Sequence, residues 1–236
     1  MGNLENYIEK LDSIDKNIKI ENKGLKITED PLLLVDTVRK FLNKIKTSGY
    51  KNMLEIGTGQ GIVSILLSNI ENINKIYAVE IQRELYNILQ NNIIENRLTE
   101  KIIPINEDIK NIKGEYDFII SNPPYYKLNE GKLPADETEL ISKYEVKLTL
   151  EELVGNIKRL LKNHGYFFIV IPNSRLNDIF NYIYFNKLNI ISINIKKYKK
   201  LDLIVIIGKK GGKYKSGIEL NVIENEMGKE IKNEFI

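Results

Sequence analysis

Asn52-Met53-Leu54-Glu55-Ile56-Gly57-Thr58-Gly59-Gln60-Gly61 is the stretch on which the fold turns. Its apolar first half reads as a buried strand. Glycines at alternate positions then permit a tight turn and close backbone approach to a ligand, and Ile62–Leu67 continues as an apolar helix. The spacing is Gly-x-Gly-x-Gly, unlike the dinucleotide fingerprint, and no Gly-Lys-Ser/Thr follows to make a phosphate loop. Glu55 puts a carboxylate beside the turn, which repels a pyrophosphate and suits a cationic amino group or sulfonium. The next strand, Lys75–Val79, ends in Glu80, placed to bond two ribose hydroxyls. A third, Lys101–Ile105, leads to Asp108, whose carboxylate can meet an adenine amino group. Carboxylates at three successive strand ends are more than a structural turn requires.

Downstream, the apolar run Tyr116–Ser121 is broken by Asn122-Pro123-Pro124-Tyr125. Two prolines cannot continue a strand, because each lacks an N–H and fixes φ near −65°. The chain must leave the sheet there and present an amide and an aromatic ring at the strand's carboxyl end, where α/β sheets bind ligands. An Asn amide and freed carbonyls accept hydrogen bonds from an –NH2 group, and a Tyr face stacks on a flat ring. A planar substrate carrying such a nitrogen fits this set.

Outward from these segments, strand and helix periods alternate from Lys51 to Asn111, which predicts a parallel sheet with crossover helices. Ile18–Ile20 and Leu25–Ile27 flank a turn and predict a small hairpin over the site. Asp30 reads as an N-cap with Pro31 at the first helical position. Lys127–Lys147 lacks a clear period and is expected to be a mobile substrate loop. Thr149-Leu150-Glu151-Glu152 is a capping box opening a helix that ends at Asn163-His164-Gly165, where His164 serves the helix end and not catalysis. Asn189–Ile195 and Leu201–Ile207 read as an antiparallel hairpin, and the tail after Gly211 has weak strand character at best. The expected organisation is one domain: a hairpin and helix extension over 1–48, a core over 49–210 and a tail over 211–236.

At 236 residues the chain is long enough for one α/β core. With no Cys and one His it offers neither a disulfide framework nor a zinc cage, so no metal is expected. The polar N-terminus Met1–Asp15 does not resemble a signal peptide, and no apolar run is long enough to span a bilayer. A cytoplasmic location without a membrane or an obligate protein partner is expected. Net charge is only +3, but between Lys187 and Gly217 nine lysines stand against one acid, Asp202. Lys196, Lys197, Lys199, Lys200, Lys209 and Lys210 are therefore candidate phosphate contacts. Lysines that protect a solvated hairpin edge give the same pattern.

Glu55-x-Gly57-x-Gly59-x-Gly61, Glu80, Asp108 and Asn122-Pro123-Pro124-Tyr125 together resemble the ordered motifs of class I S-adenosylmethionine-dependent methyltransferases that act on amino groups. Ile27-Thr28-Glu29-Asp30-Pro31-Leu32-Leu33-Leu34, Ala78-Val79-Glu80-Ile81-Gln82 and the doubled tyrosine Tyr125-Tyr126 narrow the likeness to the bacterial tRNA(Val) adenine-N6 methyltransferase family. The chain departs from that family at Lys143-Tyr144-Glu145, where relatives carry Arg-His before the Glu, and in having a lysine cluster for an Arg-rich turn. The resemblance implies a Rossmann-like, mostly parallel seven-stranded sheet with helices on both faces and a C-terminal antiparallel hairpin. It implies S-adenosylmethionine held by Glu55, Gly57, Thr58, Gly59, Gly61, Glu80, Ile81, Asp108 and Asn122. Asn122, Pro123, Pro124 and Tyr125 would form the catalytic tetrad, acting on an adenosine of tRNA beside the anticodon. Methylation of a release-factor glutamine, of another RNA or DNA adenine, and a non-catalytic cofactor-sensing module remain as alternatives.

Overall fold

Alternation along the strands sorts their side chains onto two faces of one sheet. In Tyr116–Ser121, Phe118 and Ile120 face one layer and Ile119 the other. In Leu161–Pro172, Phe168 and Val170 oppose Phe167, Ile169 and Ile171. A period of two with both faces apolar demands cover on each side. The computed structural model describes residues 7–9, 18–20, 28–45, 49, 51–128, 134–198, 202–212 and 217–223.

In chain order the elements are β1 (Tyr7–Glu9), β2 (Ile18–Ile20), α1 (Glu29–Lys44), β3 (Lys51–Ile56), α2 (Ile62–Leu67), β4 (Ile73–Glu80), α3 (Arg83–Glu95), β5 (Ile102–Asn106), β6 (Tyr116–Ser121), α4 (Glu137–Lys143), α5 (Leu150–Leu160), β7 (Leu161–Pro172), α6 (Leu176–Phe185), β8 (Leu188–Lys196), β9 (Leu203–Lys210) and β10 (Glu219–Ile223). The main sheet runs β10-β8-β9-β7-β6-β3-β4-β5. Within it, only the pairings of β9 with β7 and with β8 are antiparallel. One layer is built on α1, α2 and α3, through Leu34, Val38, Leu67, Leu89 and Ile93. The other is built on α5 and α6, through Leu153, Ile157, Leu160, Ile179 and Ile183. The strand order reverses between β3 and β6, and the crevice outside their carboxyl ends is where such sheets take ligands.

The α/β architecture with a C-terminal antiparallel hairpin is as expected, with corrections in detail. The sheet has eight strands and not seven, because Glu219–Ile223 adds a parallel edge strand to β8. That strand was illegible because its Leu220 and Val222 are 69% and 60% exposed, so burial did not shape its pattern. At the opposite edge Pro104 sits in β5, where a missing N–H leaves no ladder bond unmade. β2 pairs with β1, and the expected partner Leu25–Ile27 lies outside the described residues. Helix α1 begins at Glu29 with Thr28 as its N-cap residue, so Asp30 is not the cap.

The Thr149–Glu152 capping box is present, but α5 stops at Leu160. His164 follows within β7 in the left-handed region, φ 65°, where the β6–β7 register shifts. Within Lys127–Lys147, expected to be a mobile loop, the acidic first turn Glu137–Glu139 and the Asp136 cap raise α4, with Asp136 Oδ1 accepting from the Glu139 amide at 2.8 Å. Its outer parts are tied down as well, through the bridge from Tyr126 to Tyr144.

Candidate active site

The ends of β3, β4 and β6 are stitched together by short bonds that follow from their sequences. The amides of Gly57 and Thr58 both donate to the Val79 carbonyl at 3.0 Å, hooking the turn onto the end of β4. Gly57, Gly59 and Gly61 all have positive φ (70°, 56° and 91°), which only glycine adopts without cost. A Cβ on Gly61 would also overlap Leu89 Cδ1, so the Leu89 side chain of α3 would have to shift to admit one. At Gly57 and Gly59 a Cβ would meet no atom within 4 Å, because these two residues border open space. Ser121 Oγ donates to the Ile56 carbonyl at 2.9 Å and locks β6 beside β3 immediately before Asn122.

That open space is a cleft of about 1090 Å³, counted to its open mouth. Glu55, Gly57, Thr58, Gly59, Glu80, Ile81, Asp108, Asn122 and Pro124 all line it. Segments separated by tens of residues thus meet on one wall. Gly61, Pro123 and Tyr125 are not among the described lining residues. Gly61 supports the turn, Pro123 is buried, and Tyr125 is half-buried with its ring 4.8 Å from that of Tyr126.

The carboxylates differ in what they do. Glu80 is 4% exposed, and its two oxygens accept from Gly59 N and Gln82 N, each at 2.8 Å. Burial raises its pKa while those amides oppose the rise. Each oxygen keeps a second lone pair, so the group can still take hydroxyl donors. Glu55 is deeper. Its Oε2 accepts from Thr58 Oγ1 at 2.8 Å and from Ser64 Oγ. Burial pushes its pKa up to about 7, against those hydroxyls, with the Glu80 charge adding to the rise. Asp108 caps a short 3₁₀ turn, accepting from Lys110 N at 2.9 Å.

Residues 35–182 match the family described as Methyltransferase small domain. The chain belongs to that family. Its fold is the Rossmann-like one of a methyltransferase domain. A "Bifunctional methyltransferase" of Rickettsia bellii is 29% identical over 214 residues, covering 83% of this chain and 38% of that protein. A protein of Flavobacterium johnsoniae named tRNA1(Val) (adenine(37)-N6)-methyltransferase is 26% identical over 160 residues, covering 66% of this chain and 65% of that one. The matches therefore span less than two thirds of either relative. A methyltransferase structure from Pyrococcus furiosus shares the fold, with a TM-score of 0.59 at 22% identity over 83% of this chain and 89% of that one.

Several residues of this methyltransferase domain escaped the motif reading. Ile141, Ser142, Lys147 and Leu148 bring α4 and the segment after it over the cleft, and Gln82 Nε2 donates to Ser142 Oγ at 3.2 Å. Thr28 and Pro31 add the start of α1. The signal for α4 was Asp136 followed three residues later by Glu139, a cap pattern without an apolar stripe.

The lysines expected to form one phosphate footprint are dispersed. Lys196 and Lys197 lie at the cleft end of the sheet, where Lys196 Nζ is 3.3 Å from Glu29 Oε2. Lys199 and Lys200 lie outside the described residues. Lys209 and Lys210 end β9 at the opposite end of the sheet, roughly 20 Å away at ~3.3 Å per residue. There Lys209 Nζ sits 4.9 Å from the Tyr166 ring centroid, and Lys210 Nζ donates to the Leu161 carbonyl at 2.6 Å. Adjacency in sequence grouped them, and the antiparallel return of β9 separates them.

Proposed function

We propose that this protein transfers the methyl group of S-adenosylmethionine to the exocyclic amine of an adenosine in tRNA, beside the anticodon of a tRNA(Val). The observation that carries the reading is that Asn122 and Pro124 share one cleft with the glycine turn and Glu80. The name of the Flavobacterium johnsoniae relative supports the substrate.

The wall fits the cofactor. Glu80 would offer a buried acceptor pair to vicinal hydroxyls, Asp108 and Ile81 would flank a base, and Gly57 and Gly59 leave the room a side chain would fill. Glu55, beneath the turn, would face the cationic part of the cofactor, and a positive neighbour there would favour its ionisation. S-adenosylmethionine, when bound, supplies an electrophilic methyl group.

The chain's own part is positioning. The lone pair of an adenine amine is delocalised into its ring and is a poor nucleophile. Accepting hydrogen bonds from its two N–H groups at the Asn122 amide oxygen and the Pro123 carbonyl would localise that pair and aim it into the cleft. Tyr125 offers a face for the base once it has left its own stack. Proximity and fixed dipoles then supply the rate without a strong base, since an alkylated amine loses its proton readily. Ile141 and Leu148 add apolar surface to the cleft.

Incubation of the protein with labelled cofactor and bulk tRNA, followed by nucleoside mass spectrometry, tests the reading. N6-methyladenosine should appear, and should be lost with Asn122→Ala while cofactor affinity is kept. Label recovered as methylglutamine in a release factor, with none in tRNA, would replace the substrate.

A further inference from the structure

Arg175 is 3% exposed, and a guanidinium withdrawn from water at that depth must be fully partnered. Its three nitrogens go to three different segments. Nε donates to Asp178 Oδ2 at 2.9 Å, Nη2 to Glu145 Oε1 at 3.0 Å, and Nη1 to the carbonyl of Tyr125. The acceptors are tied in turn. Glu145 Oε1 also takes the Leu150 amide at 2.9 Å at the start of α5, and Asp178 Oδ2 takes Lys127 Nζ at 3.0 Å. Around them, Tyr126 N donates to the Lys143 carbonyl at 3.1 Å, and Glu145 N to the Tyr126 carbonyl at 2.9 Å.

We propose that Arg175 is a positioning residue for methyl transfer, which sets the peptide plane after Tyr125 and thereby the orientation of the Asn122–Tyr125 turn. The inference rests on the reading of that turn as the amine-binding element. The turn has left the sheet and its two prolines donate nothing, so few backbone bonds can fix it. The Tyr125 carbonyl is the first main-chain group past the prolines to be held from outside, and a planar fork held on two other sides cannot follow a rotation of that carbonyl. A lysine would keep the charge but offers no planar fork, so it cannot hold the three directions at once.

Arg175→Lys should lower kcat for the amine acceptor about 10- to 100-fold, the scale for a misplacement near an ångström. KM for the acceptor and Kd for the cofactor should stay within about threefold of the parent. Guanidinium at low concentration should restore part of the turnover of Arg175→Ala. Arg39→Lys provides a control for destabilisation, because Arg39 donates to the Leu66 carbonyl and the Asn69 side-chain oxygen, far from the turn. Its kcat should be parental. Amide exchange across Asn122–Lys127 gives a readout that needs no substrate, and it should accelerate about tenfold in Arg175→Lys while α5 remains protected. Parental exchange in this segment, or a kcat loss matched by Arg39→Lys, overturns the inference. Failure of the parent to methylate tRNA would overturn the substrate reading instead and leave the exchange result to decide on Arg175.

Discussion

The phenol of Tyr125 donates a 3.0 Å hydrogen bond to Oδ2 of Asp30, 95 residues earlier in the chain. The start of α1 thereby holds the tetrad's aromatic ring from behind. Burial raises the pKa of Asp30 against the pull of that phenol, and burial together with the Asp30 charge raises that of Tyr125. The phenol's hydrogen is engaged by Asp30, so the bond serves to orient the ring.

Tyr125→Phe should keep most of the stacking and lose the tether, costing roughly 1–3 kcal/mol of stability because Asp30 loses a partner. Asp30→Ala combined with Tyr125→Phe should cost less than the sum of the two single changes. Urea denaturation of the four proteins measures this coupling, and strict additivity would show that the bond contributes nothing. Tyr125→Ala should in addition weaken capture of the base by about 1–3 kcal/mol.

Glu80 serves the turn as well as the ligand. Glu80→Gln keeps the size, but an amide cannot accept from both Gly59 N and Gln82 N, so one donor is left facing an NH2 group. Cofactor affinity should fall by about 1–3 kcal/mol in calorimetry. Undiminished affinity would remove Glu80 from the cofactor site.

Glu55 predicts a pH dependence of stability in the cofactor-free protein. Its pKa stands at about 7 in the folded chain against an ordinary 4.5, so between those values the folded state holds a proton that the unfolded state releases. The stability this provides is complete below about pH 4.5 and is lost as pH rises through about 7. Burial of Glu80 acts in the same direction. Glu55→Gln retains an oxygen for Thr58 and Ser64 and has no proton to lose. Its stability relative to the parent should therefore rise across that window, by at most about 3.5 kcal/mol at ~1.4 kcal/mol per pH unit. Denaturation curves from pH 5 to 8 that run parallel for the two proteins would contradict this.

Lys196 and Lys197 stand at the cleft end of the sheet and Lys209 and Lys210 at the other. Reversal of the first pair to Glu should weaken tRNA binding and flatten its salt dependence by a log–log slope of about 0.7–0.9 for each phosphate no longer neutralised. Reversal of the second pair should leave both unchanged. Equal effects from the two pairs in filter binding at several salt concentrations would mean that attraction is a property of overall charge.

The strand–turn–helix at Asn52–Leu67, the alternating core of β6 and β7, the Thr149–Glu152 cap and the Asn122–Tyr125 break were all legible in the sequence. Each is governed by forces between near neighbours: burial with a fixed period, the missing N–H of proline, the free φ of glycine. The eighth strand was not, because its side chains are exposed and its place depends on the backbone edge that β8 leaves open. Asp30 was misread for a related reason. Its position suited a helix cap, and the competing partner, Tyr125, is near only after β6 has been laid beside β3.

Local pattern thus suffices for the parallel α/β order, the carboxylates at three strand ends and the amide–proline turn. These follow from local pattern and from the rule that ligands gather where strands end. Only packing in three dimensions brings Arg175 to the Tyr125 carbonyl, α4 to the lining of the cleft, and the lysines to two ends of the sheet. Contacts of that kind join residues across tens of positions. Their partners are chosen by the geometry of packed layers and by the need of every buried charge for an acceptor, and no local pattern encodes either.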